Sequence, residues 1–106
     1  KAFLELEGRP LLTWVAARAA RVADEVVVAV PADRVAQASQ LLPDCRVIAG
    51  GHDRHESVEL LAQAARGEWL LLHDAARPFA SERLWRDVLA AARSTGCAAS
   101  VLAPKV

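Results

Sequence analysis

The sequence has no methionine, only two cysteines and no excess of charge of either sign among its 106 residues. Its 13 basic residues balance 13 acidic ones, which excludes a general electrostatic affinity for nucleic acid or for anionic membranes. No apolar run approaches the roughly 18 residues that cross a bilayer. Because Lys1 leads directly into an amphipathic segment, we expect no signal peptide. Cys45 and Cys97 lie far apart without ligand-like neighbours, which favours free thiols in a reducing cytoplasm over a disulfide.

Both ends of the chain are abrupt, because it begins at Lys1 and stops at Val106, just after a predicted strand. The hydrophobic fraction of 54% supplies enough apolar side chain to offset the entropy of ordering, which excludes a disordered segment. The length allows one compact domain over residues 1–106. We expect this domain to be incomplete at both ends.

Helical segments alternate with short apolar runs along the chain. Helices are predicted from Pro10 to about Asp24, Pro31 to about Leu42, Glu56 to about Arg66, and from a Ser81 N-cap to Gly96. Strands are predicted at Glu25–Val30, Arg46–Ala49, Trp69–Leu72 and Cys97–Leu102. This alternation predicts an α/β fold with a mostly parallel sheet and helices on both faces. Because such folds normally begin with a central strand, we expect a further strand before Lys1.

Ligands of open parallel sheets bind beyond the carboxyl ends of the strands, where two loops of this sequence carry polar chemistry. After the second predicted strand, Gly50 and Gly51 precede a helix N-terminus, which suits an anion or a polar base edge, although an ordinary turn is the alternative. After the third predicted strand, Asp74 is placed to hold Mg²⁺ or a ribose hydroxyl. The guanidinium of Arg77, three residues later, can donate two parallel hydrogen bonds to a phosphate. The alternative is that these two side chains pair with each other in the loop.

Three further features have plain structural interpretations. Lys1 stands near a strand-to-helix loop, but a terminal lysine is usually exposed to solvent. The three histidines lack the spacing of a zinc site. The three tryptophans, Trp14, Trp69 and Trp85, are predicted to pack against helices or the core.

Three motifs, in this order, resemble those of the 2-C-methyl-D-erythritol 4-phosphate cytidylyltransferases. They are K-A-F-L-E-L-E-G-R-P-L-L (Lys1–Leu12), G-G-x-x-R-x-x-S-V (Gly50–Val58) and H-D-A-A-R-P-F (His73–Phe79). The resemblance covers nearly the whole chain and implies a Rossmann-like three-layer αβα nucleotidyltransferase fold. It also implies transfer of CMP from CTP to methylerythritol phosphate, a divalent cation such as Mg²⁺, and a cytoplasmic homodimer without nucleic-acid or membrane partners. The family has a glycine-rich loop before the position of Lys1 and a dimerisation arm after that of Val106.

The resemblance also implies roles for individual residues. Lys1 matches the catalytic lysine at the reacting α-phosphate, and Gly51 and Ser57 match the positions that contact the cytosine. His52, between them, falls at a further nucleotide-binding position. His52 stands where the family usually has Asp or Ala, and His55 stands where Gln is common.

The loop after the third predicted strand supplies the other implied contacts. Asp74 matches the acid near the ribose, the metal and the methylerythritol hydroxyls. Ala75 matches the residue against the nucleotide, and Arg77 the one on the sugar-phosphate side. Two alternatives stay open: ribitol 5-phosphate as the acceptor, or a non-catalytic nucleotide-binding fragment. We expect the 106 residues by themselves to be inactive.

Overall fold

The computed structural model describes residues 3–74 and 81–96, and this part of the chain forms a mixed α/β domain. Its strands are β1 (Glu5–Leu6), β2 (Arg9–Pro10), β3 (Val27–Val30) and β4 (Arg46–Ala49). Its helices are α1 (Leu11–Ala19), α2 (Val35–Leu41, after a 3₁₀ turn at Ala32–Arg34), α3 (Arg54–Ala64) and α4 (Glu82–Thr95). No helix in these two ranges is long and apolar enough to cross a membrane.

The parallel pair β3–β4 is the centre of the fold. Val27 is in register with Arg46 and Val30 with Ala49, and the crossover between the two strands contains α2. Val28 and Val30 are buried on one face of β3, while the alternate residues are half-buried on the other. A strand covered on both faces explains the uninterrupted apolar run that predicted it.

The main core lies where α1 and α2 pack with β3. Its fully buried members are Leu12, Ala16, Val28, Val30, Ala38 and Leu42. Cys45 packs beside this cluster as a free thiol, as expected, and burial raises the pKa of that thiol. Cys97 and the predicted strand Cys97–Leu102 lie outside the described residues.

Helix α4 begins and ends where the sequence predicts. The Ser81 hydroxyl accepts a hydrogen bond from the Leu84 N–H at 3.0 Å, and Gly96 ends the helix in the left-handed region at φ 90°. Helix α1 is shorter than predicted, because it ends at Ala19 rather than near Asp24. Its last turn tightens there, with the Arg21 N–H donating to the Arg18 carbonyl three residues back.

A short β-hairpin precedes α1 and was not predicted. Glu7 and Gly8 both have positive φ, at 52° and 81°, as a two-residue turn matching the twist of the strands requires. The Trp14 indole of α1 donates to the Leu6 carbonyl at 2.9 Å, and the Arg9 guanidinium lies 4.2 Å from the centre of the Trp14 ring. The hairpin is therefore attached to the first turns of α1. Strands of two residues are too short to show an alternating pattern.

The prediction of a strand at Trp69–Leu72 was wrong for this structure. The segment has no strand assignment, and Leu70 and Leu72 are 56% and 53% exposed. An apolar run can favour an extended backbone, but a strand also needs a hydrogen-bonded neighbour. Within residues 3–74 and 81–96, no strand lies alongside this segment.

A large, mostly apolar cavity of about 910 Å³ separates β3 from this segment. Its walls include Val15 of α1, Val28 of β3, Leu61 of α3, Leu71 and Trp85 of α4. Among the described strands, β3 pairs only with β4, so its other edge has no partner there. The cavity runs along β3 towards the loops that follow the strands, where the predicted site residues lie.

An ion pair joins the two strands at the end of the sheet opposite the candidate site. Oε1 of Glu25 accepts from Nη1 of Arg46 at 2.7 Å, and Oε2 accepts from the backbone N–H of Arg66 at 3.0 Å. Nη1 of Arg46 also donates to the Ala64 carbonyl at the end of α3. The hydrogen bond from Arg46, and then that from Arg66, hold the pKa of Glu25 below its usual value.

We expect Glu25→Gln to lower stability to an extent that depends on pH. Because the folded-state pKa of Glu25 is depressed, its contribution is complete above the unfolded-state pKa and is lost as pH falls through the folded-state value. The urea midpoints of wild type and Glu25→Gln should therefore differ at neutral pH and converge in acid. Glu68→Gln, at an exposed position, is the matched control. A difference that stays constant from neutral to acidic pH would contradict the assignment.

Candidate functional site

The loop after β4 carries the first group of predicted site residues. The Gly50 N–H donates to the Val30 carbonyl at 2.8 Å, which extends the parallel ladder by one bond beyond the two strands. The next N–H, that of Gly51, donates to Oγ of Ser57 at 3.0 Å. Two residues that the sequence assigned to one site are thus in direct contact. The Ser57 oxygen is occupied as an acceptor, which leaves its hydroxyl hydrogen to be donated to a ligand.

Two acidic side chains hold this loop against the start of α3. Oδ1 of Asp53 caps the helix by accepting from the Glu56 N–H at 2.8 Å. Oε2 of Glu56 reaches back to accept from the His52 N–H at 3.2 Å. This reciprocal arrangement resembles a capping box and starts α3 at Arg54, two residues earlier than predicted. The spacing Asp-x-x-Glu in the sequence is the signal for this cap, which was not predicted.

Gly51 is required by the closeness of Glu56. A Cβ atom added at Gly51 would lie 2.3 Å from Cγ and 2.5 Å from Cβ of Glu56. A Cβ atom added at Gly50 would lie 3.0 Å from Oγ of Ser57, and its next neighbour, the Val30 carbonyl oxygen, would be 3.6 Å away. The two glycines are therefore not equivalent, although the motif shows them as a pair.

We expect Gly51→Ala to lower the free energy of unfolding by about 1–3 kcal/mol, as overpacking usually does. The added methyl group pushes Glu56 away and so breaks its hydrogen bond to the His52 N–H. Gly50→Ala is the matched control, with a smaller expected loss because only one side-chain atom must shift. Urea unfolding of both variants measures the difference. Equal losses would show that Glu56 does not restrict this position.

Asp74 follows the Trp69–Leu72 segment and lines the same cavity as residues of α3. The cavity is lined at this end by Arg54, Ser57, His73 and Asp74, so the two predicted loops share one space. His73 and Asp74 are half-buried. Arg54 was not among the predicted site residues, although it is the arginine of the motif G-G-x-x-R-x-x-S-V, and it adds a cation at the helix N-terminus.

The two histidines that follow β4 are exposed, and three other predicted site residues lie outside the described part of the chain. The His52 side chain is exposed, and only its backbone N–H takes part in the loop's hydrogen bonds. His55 is also exposed, and its Nε2 lies 3.0 Å from Oε1 of Glu59, one turn further along α3. Lys1, Ala75 and Arg77 lie outside the described residues, so their predicted roles stay predictions.

Asp74 is the one residue that the sequence analysis named as a metal ligand. In the described part of the chain, no group of three or more His, Cys, Asp or Glu side chains is placed to hold a metal ion. A single carboxylate facing a cavity suits Mg²⁺, which takes most of its ligands from phosphates and water. It does not suit zinc, which binds three or four protein ligands.

Comparison with solved structures defines the class of protein to which this fold belongs. The chain is similar to the crystal structure of 4-diphosphocytidyl-2C-methyl-D-erythritol synthase from Anaerococcus prevotii, with a TM-score of 0.77 and 27% sequence identity. The match covers 87% of this chain and 46% of that one. The described elements therefore have the arrangement found in part of that synthase.

The sequence model of the 2-C-methyl-D-erythritol 4-phosphate cytidylyltransferase family matches residues 1–106, and the chain belongs to that family. Over 102 residues, 96% of the chain, it is 42% identical to the Deinococcus radiodurans enzyme of that name and 44% identical to the one from Thermus thermophilus. The chain spans 43% and 46% of the lengths of these two relatives.

Proposed function

We propose that the whole protein transfers CMP from CTP to 2-C-methyl-D-erythritol 4-phosphate and releases pyrophosphate. The observation that carries the proposal is the family match over all of residues 1–106, which includes both loops of the candidate site. The contact between Gly51 and Ser57, and the cavity that Ser57 shares with Asp74, support it. The relatives that carry this name are 42% and 44% identical to the chain, which also supports the proposed substrates.

In the proposed complex, the loop after β4 binds the cytosine. The Ser57 hydroxyl donates its free hydrogen to an acceptor on the base edge, while the Gly51 N–H holds the oxygen in place. Asp53 and Glu56 keep the loop in this shape through their bonds to backbone N–H groups. A loop that is already formed loses less entropy when the nucleotide binds.

In the proposed reaction, a phosphate oxygen of the acceptor attacks the α-phosphorus of CTP. A new P–O bond forms there as the bond to the β-phosphate breaks, and the electron pair leaves with pyrophosphate. Little proton transfer is needed because the attacking phosphate is already ionised at neutral pH. The protein's task is to position the two substrates and neutralise charge, which we assign to Lys1, Arg77 and Asp74 with its cation. Asp74 would hold Mg²⁺, which supplies positive charge at the phosphates when bound.

We also propose that the described elements form part of a three-layer αβα fold with a mostly parallel sheet. Among the described strands, β3 pairs only with β4 and none pairs with the Trp69–Leu72 segment; these two observations, and the cavity that both elements line, support this arrangement. One more strand in the cavity would pair with β3 and give the 69–72 segment a neighbour.

For the whole protein we propose a homodimer in the cytoplasm. Light scattering on the purified protein would test whether it is a dimer.

The proposed activity is tested by pyrophosphate release from the purified whole protein. With CTP and Mg²⁺, we expect turnover with 2-C-methyl-D-erythritol 4-phosphate and none without an acceptor. Ribitol 5-phosphate, supplied in a parallel reaction, tests the alternative substrate. Release with ribitol 5-phosphate alone, or with neither acceptor, would contradict the proposal.

A further inference from the structure

One aromatic contact joins the loop that carries Asp74 to helix α4. The rings of His73 and Trp85 lie with their centres 4.9 Å apart and their planes at 61°, an edge-to-face arrangement. Trp85 is 4% exposed and is the only fully buried residue of α4. Since His73 directly precedes Asp74 in the chain, a side chain that fixes the His73 ring also limits where the next backbone unit can lie.

Trp85 also belongs to the capped first turn of α4. Its backbone N–H donates to the Ser81 carbonyl at 3.2 Å. The indole that contacts His73 therefore stands on the hydrogen-bonded first turn of the helix. Two other bonds of this helix end, from Arg21 to Glu82 and from Arg86 to the Arg21 carbonyl, are exposed and so hold it weakly.

We propose that Trp85 is a positioning residue for Asp74, acting through the ring of His73. The inference rests on the proposed function, because it concerns the carboxylate assigned to the nucleotide and its cation. Catalysis that depends on placing charged groups is sensitive to small displacements, and an error of about 1 Å can cost roughly 100-fold in rate. Trp85 itself touches neither substrate in this proposal.

The first test is kinetic and uses the whole protein. We expect Trp85→Leu to lower kcat by roughly 10- to 100-fold. The KM for CTP should change less than kcat does, since the Gly51–Ser57 contact proposed to bind the cytosine lies elsewhere in the chain. Trp85→Phe, which keeps an aromatic ring, should recover most of the lost rate. Val88→Ala removes half-buried apolar surface from the same helix outside the cavity, and it should leave kcat unchanged.

A double-mutant cycle separates positioning from a general loss of stability. If Trp85 acts through His73, His73→Ala should lower kcat as Trp85→Leu does, and combining the two should add little further loss. Additive losses would overturn the proposal. So would a kcat for Val88→Ala that falls as far as that of Trp85→Leu when the two variants are equally destabilised.

The second test does not depend on activity and is made by NMR on the same protein. Trp85→Leu should shift the ring resonances of His73 and the amide resonance of Asp74, whereas Val88→Ala should leave both in place. An unmoved Asp74 amide would overturn the positioning proposal even if the enzyme is active. If wild type releases no pyrophosphate, the proposed function fails, and the Asp74 amide alone then decides whether Trp85 positions this loop.

Discussion

Asp74→Asn is expected to lower the kcat of the whole protein by at least about 100-fold, the usual cost of removing one group that stabilises charge in a transition state. The substitution preserves the size of the side chain and removes its negative charge, so the cation proposed to sit beside the phosphates loses its ligand. The measurement is the rate of pyrophosphate release at saturating CTP and acceptor. Because Asp74 is half-buried at the rim of a cavity, the fold should tolerate the amide.

Asp44→Asn is the matched control for this experiment. Asp44 is an exposed aspartate in the turn between α2 and β4, away from the cavity, and its loss should leave kcat within about twofold. Urea unfolding of both variants shows whether either is destabilised. A near-normal rate for Asp74→Asn would remove this carboxylate from the mechanism and, with it, the proposed site for Mg²⁺.

Leu12→Ala is expected to have the largest effect on stability, with a loss of about 2–5 kcal/mol. Leu12 is 1% exposed and stands in the first turn of α1, where it packs in the core with Val28 and Val30 of β3. Truncation removes buried apolar surface and leaves a cavity that the surrounding strands can fill only in part. The measurement is the urea midpoint at unchanged m-value, which reports stability rather than a change in the unfolded state.

Leu41→Ala makes the same chemical change at an exposed position. Leu41 is the last residue of α2 and is 37% exposed, so its truncation should cost less than about 1 kcal/mol. Equal losses for the two variants would mean that α1 does not pack on β3 as the structure describes.

Local chemistry explains which elements of the fold could be predicted from the sequence. Ser81 and Gly96 mark the ends of α4 because a cap and a left-handed glycine act within one turn of the helix. The apolar run at β3 predicted a covered strand for the same local reason. By contrast, the Trp69–Leu72 segment has the composition of a strand, but strand formation depends on a neighbour that its own residues do not encode.

The candidate site shows the same division between local and distant contacts. The two glycines and Ser57 could be placed together because eight consecutive residues of loop and helix contain the whole unit. Asp53 and Glu56 belong to that unit too, and their spacing was visible in the sequence. The contact between His73 and Trp85 was not visible, because it joins residues from two elements at an angle that only the packing of α4 sets.

The apolar cavity beside β3 also affects how the described part of the chain behaves in water. Leu70 and Leu72 are more than half exposed and line this cavity, and among the described strands β3 pairs only with β4. Exposed apolar side chains next to an unpaired strand edge favour association between polypeptides. Covering this surface is therefore a condition for the protein to remain dispersed, separate from any role of the cavity in binding substrates.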